Sequence, residues 1–228
     1  MLYLILGILI IILIFAPQLW VRHVIKRYSE PIAELPGTGA DLARHLVKRF
    51  EMEGVGVEEC QPDQDHYDPD AKMIRLSPDN FSGKSLSAVA IATHEFGHAL
   101  QHHQRYQPLE LRSKLARFSG IAEKIASAIL VSFPLLMVLT KIPIFGLIMF
   151  LSGFAIMGLP ILMHLVTLPV EWDASFGRAL PILREGEYLP ENAMPIINKI
   201  LLAAALTYVA ASLNSLLNFY RWMMILRR

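Results

Sequence analysis

The 228-residue chain is 54% hydrophobic and only 18% charged, and its formal net charge at pH 7 is +1. Soluble domains carry about 25% charged residues, so the composition predicts large apolar segments and gives no reason to expect a nucleic-acid partner. The single cysteine, Cys60, excludes an intrachain disulfide.

The N-terminal segment is predicted to be a membrane anchor. Leu2–Phe15 is an unbroken apolar run, and the apolar character continues to Val21, where a basic group begins. About 20 helical residues at 1.5 Å each cross the hydrocarbon core of a bilayer. The segment lacks the basic start and small-residue cleavage site of a signal peptide, so we expect residues 1–21 to be an uncleaved anchor.

A polar insert follows a Pro- and Gly-containing linker. Thr38 and Asp41 have the spacing of a capping box and predict a helix that ends near Gly54. Val55–Cys60 and Met73–Leu76 alternate between apolar and polar residues, and the Asp-Pro-Asp between them is typical of a turn, so we predict a β-hairpin. Its edge could hold an extended peptide through main-chain hydrogen bonds; a purely structural hairpin is the alternative.

Ser85–Tyr106 is predicted to form one helix that contains the sequence His94-Glu95-Phe96-Gly97-His98. Residues four apart lie on one face of a helix, so both imidazoles can bind a single Zn²⁺ ion. Glu95 flanks that ion and is predicted to accept a proton from the water that the ion activates, as in metalloproteases with this motif. The alternative is a polar helix face with fortuitous histidines. His102 and His103 extend the helix and are interpreted as outer or solvated residues.

Three further apolar segments follow, over Ile125–Thr140, Ile142–Val170 and Ile200–Phe219. With the first segment they predict a mainly α multi-pass membrane protein of about four transmembrane helices, with a small α+β insert between the first and second. Basic residues are concentrated in that insert, so the positive-inside rule predicts a site facing the cytoplasm from the cell (inner) membrane. The C-terminal arginines, Arg221, Arg227 and Arg228, argue against this orientation.

A catalytic zinc site needs a third protein ligand and one open position. If the second and third apolar segments form a hairpin, the chain after Val170 returns to the side of the predicted zinc helix. Glu171 and Asp173 both lie there, and Glu171 is the preferred third ligand because Asp173 points elsewhere on a helix.

Four sequence motifs together resemble one protein family. DHYDP (65–69), RLSP (75–78), HEFGHALQ (94–101) and LPVEWDAS (168–175) are similar to the YugP-like family of neutral membrane zinc metallopeptidases. The resemblance implies a zincin-like catalytic region, zinc bound by His94, His98 and Glu171, and Glu95 as the catalytic base. More distantly related membrane zinc proteases carry an aspartate at the position of Ser175, where it would orient a ligand histidine.

These expectations divide the chain into an anchor (1–21), a catalytic region (36–120), a transmembrane hairpin (121–170), a third-ligand helix and loop (171–195) and a C-terminal span (196–220). The predicted function is hydrolysis of peptide bonds in membrane-associated proteins, as in membrane-protein quality control, with the lipid bilayer as a further partner. A catalytically silent zinc-stapled scaffold and a metal transporter are the alternatives. Four residues are candidates for stabilising the oxyanion: His66, Tyr67, Arg178 and Tyr188.

Overall fold

The computed structural model describes residues 2–140, 142 and 144–207, and helices dominate it. The helices are α1 (Leu2–Arg27), α2 (Gly39–Arg49), α3 (Pro78–Phe81), α4 (Leu86–His103), α5 (Gln107–Thr140), α6 (Ile144–Trp172), a π-helix (Asp173–Ala179), α7 (Leu180–Glu185), a 3₁₀ turn (Glu191–Ala193) and α8, described over 194–207. The strands are β1 (Gly56–Glu59), β2 (His66–Asp68) and β3 (Met73–Leu76).

The predicted capping box at the start of α2 is confirmed. The Thr38 hydroxyl accepts a hydrogen bond from the Asp41 backbone N–H at 3.2 Å, and the Asp41 carboxylate accepts one from the Thr38 N–H at 3.0 Å. These contacts satisfy two N–H groups that the first helical turn would otherwise leave without partners. α2 is thereby fixed at its N-terminal end and packs against α4.

The predicted hairpin is wrong, although both of its strands exist. β1 and β3 pair in parallel, and the segment between them, expected to be a turn, contains β2, which pairs antiparallel to β3. The strand order is β1-β3-β2, so β2 forms one edge of the sheet. The Asp-Pro-Asp turn is present as predicted, since the Asp68 carboxylate accepts hydrogen bonds from the backbone N–H groups of Asp70 and Ala71, but this turn joins β2 to β3.

The core is built around α4, which is buried from Leu86 to Gln101. One cluster of apolar side chains joins α4 to α2 and β3 and includes Leu46, Ile74 and the fully buried Phe96. A second cluster joins the start of α4 to the end of α1, to α7 and to α8. The helix with the two histidines therefore lies between two packed layers.

The prediction of about four transmembrane helices is contradicted. Within residues 2–140, 142 and 144–207, no helix combines the length and the apolarity that crossing a bilayer requires. The argument for a cytoplasmic orientation depended on those spans and loses its basis with them. Apolar side chains of α5 and α6 are nevertheless exposed, among them Leu135, Val138, Leu147, Leu151, Leu162 and Leu165.

Protein packing explains part of the apolar pattern that predicted the spans. Val21, the last residue of the predicted anchor, and Val24, just beyond it, are buried in the core. Ile200, Leu201 and Ala205, at the start of the predicted C-terminal span, are fully buried as well. An apolar run indicates burial without stating whether lipid or protein covers it. The rest of that C-terminal span, together with Lys141 and the C-terminal arginines, lies outside the described residues.

Candidate metal centre

The two histidines of the motif stand one turn apart on α4. The Ser85 side chain caps this helix by accepting a hydrogen bond from the Ala88 N–H at 3.1 Å. Helical spacing places the imidazoles of His94 and His98 on one face, with their ring centroids 4.8 Å apart. Both side chains are buried, at 4% and 6% exposure, so solvent contributes little to holding them.

Glu171 reaches the histidines from the last turn of α6. Its Oε2 atom lies 3.2 Å from the Nε2 atom of His94 and 3.3 Å from that of His98. Among the described residues, these three form the one group of His, Cys, Asp or Glu side chains whose ligand atoms all lie within 4.8 Å of one another. The fold therefore brings Glu171 to the two histidines, although it follows them by more than 70 positions in the sequence.

Gly97 makes this approach possible. A Cβ atom at position 97 would lie 2.7 Å from the backbone carbonyl oxygen of Ala174, in the π-helix that follows Glu171. Cβ atoms do not approach a carbonyl oxygen this closely, so a larger residue would force α4 and the π-helix apart. The small residue inside the motif thus serves the contact between the two segments that supply the ligands.

The hydrogen bonds of His98 fix its tautomer. Gln101 donates from its side-chain nitrogen to the Val170 carbonyl and to the Asp173 carboxylate, both at 2.8 Å. Because both groups can only accept, the amide oxygen of Gln101 must face His98, and it lies 2.9 Å from Nδ1. His98 therefore donates from Nδ1–H and leaves a lone pair on Nε2.

Ser175 gives His94 the same tautomer. The Ser175 hydroxyl lies 3.1 Å from the Leu201 carbonyl oxygen, to which it donates, and 3.0 Å from Nδ1 of His94. Its proton is committed to the carbonyl, so the hydroxyl accepts from His94 Nδ1–H. Ser175 therefore orients His94 at the position where the more distantly related membrane zinc proteases carry an aspartate.

The three converging atoms fit a metal ion. With both Nδ1 atoms protonated, the two Nε2 lone pairs and the Glu171 carboxylate oxygen are all acceptors, and only a cation between them makes their proximity favourable. Zinc bonds of 2.0–2.1 Å in a tetrahedron place ligand atoms about 3.3–3.4 Å apart, close to the separations from Oε2 found here. When no ion is bound, burial by itself raises the pKa of Glu171, but the positive charge and hydrogen bonds of His98 and His94 in their imidazolium forms hold it well below its usual range; a bound cation takes the place of those protons.

Glu95 lies next to the ligands in a cavity of about 600 Å³. Burial raises the pKa of Glu95 to about 7, with His94 opposing this shift and Glu171 contributing in the same direction. A carboxyl group with such a pKa can both accept and release protons near neutral pH. The cavity also contacts His94, His98 and Glu171, so a molecule inside it meets all four side chains.

The structure separates the four candidates for oxyanion stabilisation. His66 and Tyr67 of β2 line the cavity, and the Tyr67 hydroxyl bonds to His102 Nδ1 at 2.9 Å. Burial raises the pKa of Tyr67 to about 12, so it remains a hydrogen-bond donor at neutral pH. Tyr188 instead contacts Arg49 and His45, and Arg178 donates to Asp173.

Two functional contacts were missed from sequence. Gln101 follows His98 by three residues, a spacing that puts it within reach of that imidazole on a helix and was the signal that could have identified it. No local motif distinguishes Arg112 from the other basic residues of the insert, yet its Nη1 lies 3.1 Å from Glu171 Oε1. Asp173, the alternative third ligand, accepts hydrogen bonds from Gln101 and Arg178 and supports the site from outside.

Other motif residues hold the cavity wall together. Asp65 accepts hydrogen bonds from the backbone N–H and hydroxyl of Ser77, at 2.7 and 3.0 Å, which ties the chain before β2 to the end of β3. Asp68 and Arg75 form an ion pair between β2 and β3. The aspartates on either side of His66 and Tyr67 therefore fix β2, the strand that forms this wall of the cavity.

Comparisons with known proteins agree with the chemistry of the site. A family model described as "Putative neutral zinc metallopeptidase" matches residues 3–227. The chain is 37% identical over 226 residues to the "Putative membrane protease YugP" of Bacillus subtilis (strain 168), and the match covers 99% of this chain and 96% of that relative. No solved structure matches the chain.

Proposed function

Because the chain belongs to the family of neutral zinc metallopeptidases, as its motifs predicted, we propose that it is a zinc-dependent endopeptidase. His94, His98 and Glu171 hold the ion, and Glu95 is the catalytic base. The observation that carries this proposal is the convergence of three metal-ligating atoms within 4.8 Å, beside a buried carboxyl group in the same cavity. The tautomers set by Gln101 and Ser175 support it, because both imidazoles present Nε2 to the same point.

The reaction proposed is general-base hydrolysis of a peptide bond. A bound Zn²⁺ ion supplies Lewis-acid chemistry, polarising the carbonyl and lowering the pKa of a water molecule toward about 7. Glu95 accepts the proton of the attacking water and passes it to the departing amine nitrogen. The burial that raises the pKa of Glu95 suits this exchange, and the positive charge of the ion lowers it again toward the ionised form.

The substrate proposed is an extended segment of polypeptide. β2 is an edge strand whose residues His66 and Tyr67 line the cavity, so its free main-chain groups can pair with a peptide lying across the site. Main-chain pairing tolerates many side chains, which suits an enzyme that removes damaged or misfolded proteins. We propose membrane-associated proteins as the natural substrates.

A lipid bilayer is the partner proposed for the exposed apolar side chains of α5 and α6. The relative from Bacillus subtilis is named a membrane protease, and side chains such as Leu162 and Leu165 are 57% and 66% exposed. Flotation with vesicles of phosphatidylglycerol and phosphatidylethanolamine tests the proposal. We expect the parent protein to float with the vesicles and the Leu162→Glu/Leu165→Glu variant to float less; a parent protein that stays at the bottom of the gradient would contradict it.

Site variants test the proposed reaction. Purified parent, Glu95→Gln, His94→Ala and the exposed control Glu185→Gln are compared for zinc content and for cleavage of unfolded and membrane-protein substrates. We expect parent and control to bind zinc and cleave, Glu95→Gln to retain zinc and lose about 10²–10⁴-fold in rate, and His94→Ala to lose both. Equal cleavage by Glu95→Gln and the parent would refute the assigned base, and tight zinc without cleavage in the parent would favour the scaffold.

A further inference from the structure

Arg112 of α5 contacts the carboxylate of Glu171 on the side away from the histidines. Its Nη1 atom donates to Oε1 at 3.1 Å, whereas Oε2 faces the Nε2 atoms of His94 and His98. The two oxygens of the Glu171 carboxylate thus have different neighbours, Arg112 for Oε1 and the two histidines for Oε2. The Glu171 side chain is 2% exposed and that of Arg112 is 24% exposed, so the pair is largely shielded from water.

A carboxylate ligand can bind a metal ion through one oxygen or through both. Binding through both oxygens would add a fifth donor atom and crowd the position that a catalytic zinc site keeps open for water or substrate. A guanidinium that donates to Oε1 competes with the ion for that oxygen. We propose that Arg112 is a positioning residue that restricts Glu171 to coordination through Oε2 alone and so preserves the open position. This inference rests on the proposed function.

The chemistry of the side chain suits this purpose. A guanidinium is always charged, and its planar N–H groups hold a carboxylate oxygen in a defined direction, which a flexible ammonium does less well. Arg112 also lines the cavity that contains Glu95, so its guanidinium acts on Glu171 within the proposed catalytic cavity itself. If the ion pair between Arg112 and Glu171 only held α5 against α6, it would not determine whether Glu171 binds the ion through one oxygen or through both.

Cobalt substitution distinguishes these two roles. The full-length metal-free protein is loaded with Co²⁺, whose visible absorption is intense in four-coordinate sites and weak in five-coordinate ones. Parent, Arg112→Met, Arg112→Gln, Arg112→Lys and the exposed control Arg184→Met are compared, with circular dichroism as the check on folding. Met has a similar length without charge or donor, and Gln keeps a polar side chain that is too short to reach Oε1.

We expect intense four-coordinate spectra for the parent and Arg184→Met, and weaker five-coordinate spectra for Arg112→Met and Arg112→Gln. Their zinc-dependent rates should fall about 10–100-fold, the range typical of lost outer partners of metal ligands. Arg112→Lys should recover part of both properties. If Arg112→Met does not fold, Arg112→Gln makes the same comparison.

A parental Co²⁺ spectrum in the folded Met or Gln variant would overturn the role given to Arg112, even if activity fell. A different observation would contradict the proposed function itself, namely a parent protein that binds neither Co²⁺ nor Zn²⁺ and so gives no Co²⁺ spectrum. The two failures are therefore separable within one experiment.

Discussion

Replacing Gln101 by methionine is predicted to weaken zinc binding without touching a ligand. Gln101 is fully buried, and its amide makes three hydrogen bonds: to His98 Nδ1–H, to the Val170 carbonyl and to the Asp173 carboxylate. Methionine fills a similar volume but offers none of them. His98 then loses the acceptor that fixes its tautomer and its ring orientation.

The expected loss of zinc affinity is 10–100-fold, or about 1.4–2.7 kcal/mol, the range found for outer partners of metal ligands. The metal-free protein should also lose about 1–3 kcal/mol of unfolding free energy, because buried polar groups are left without their partner. Zinc competition against a chromophoric chelator measures the first quantity, and denaturation in urea measures the second.

Two variants sharpen this prediction. Gln101→Glu keeps an acceptor for His98 but cannot donate to the Val170 carbonyl and places a carboxylate beside Asp173. It should retain more zinc affinity than Gln101→Met while losing stability. Gln104→Met, at the residue that caps the C-terminal end of α4, removes a glutamine that accepts a hydrogen bond from Arg178 and contacts none of the three ligands, and it should bind zinc within about twofold of the parent. Unchanged zinc affinity in Gln101→Met would refute the reasoning from tautomers.

Three further predictions follow from single contacts. Gly97→Ala places a Cβ atom 2.7 Å from the Ala174 carbonyl oxygen. Thermal unfolding should show a loss of about 1–3 kcal/mol of unfolding free energy, and zinc titration should show a weaker site. Unchanged values would contradict the close approach. Thr38→Ala removes the cap of α2 and should cost about 1 kcal/mol in urea denaturation, with zinc affinity unchanged. In the metal-free protein, the pKa of Glu95 is raised from 4.5 to about 7, so the folded state binds this proton more tightly than the unfolded state. The free energy of unfolding should therefore fall as the pH rises from 4.5 to about 7. Metal-free Glu95→Gln should escape that loss, up to roughly 3 kcal/mol, and a parallel pH dependence of the two proteins would contradict it.

Local patterns predicted which histidines lie together, because the spacing of that pair is local. The His94–His98 pair depends only on helical geometry, and the cap at Thr38 on a few neighbouring residues. Glu171 was placed beside the pair because the chain had to return after one long hairpin, and α5 and α6 do pack against each other. The family resemblance drew on the same motifs.

Features that depend on long-range packing were not predictable in the same way. The alternation of residues in β1 and β3 indicates strands but not their direction, so a parallel pair was mistaken for a hairpin. Apolarity could not distinguish protein from lipid as the neighbour of Ile200 and Leu201, which are buried in the core. The partners of Ser175 and Arg112 lie on distant segments, and no local spacing indicates them.

The account depends on one metal ion held by His94, His98 and Glu171. Crystals of the full-length protein with zinc, measured on both sides of the zinc absorption edge, test this directly. We predict one strong anomalous peak about 2.0–2.2 Å from Nε2 of each histidine and from Oε2 of Glu171. An anomalous peak elsewhere, or zinc-saturated protein with no peak between these three atoms, would contradict the account.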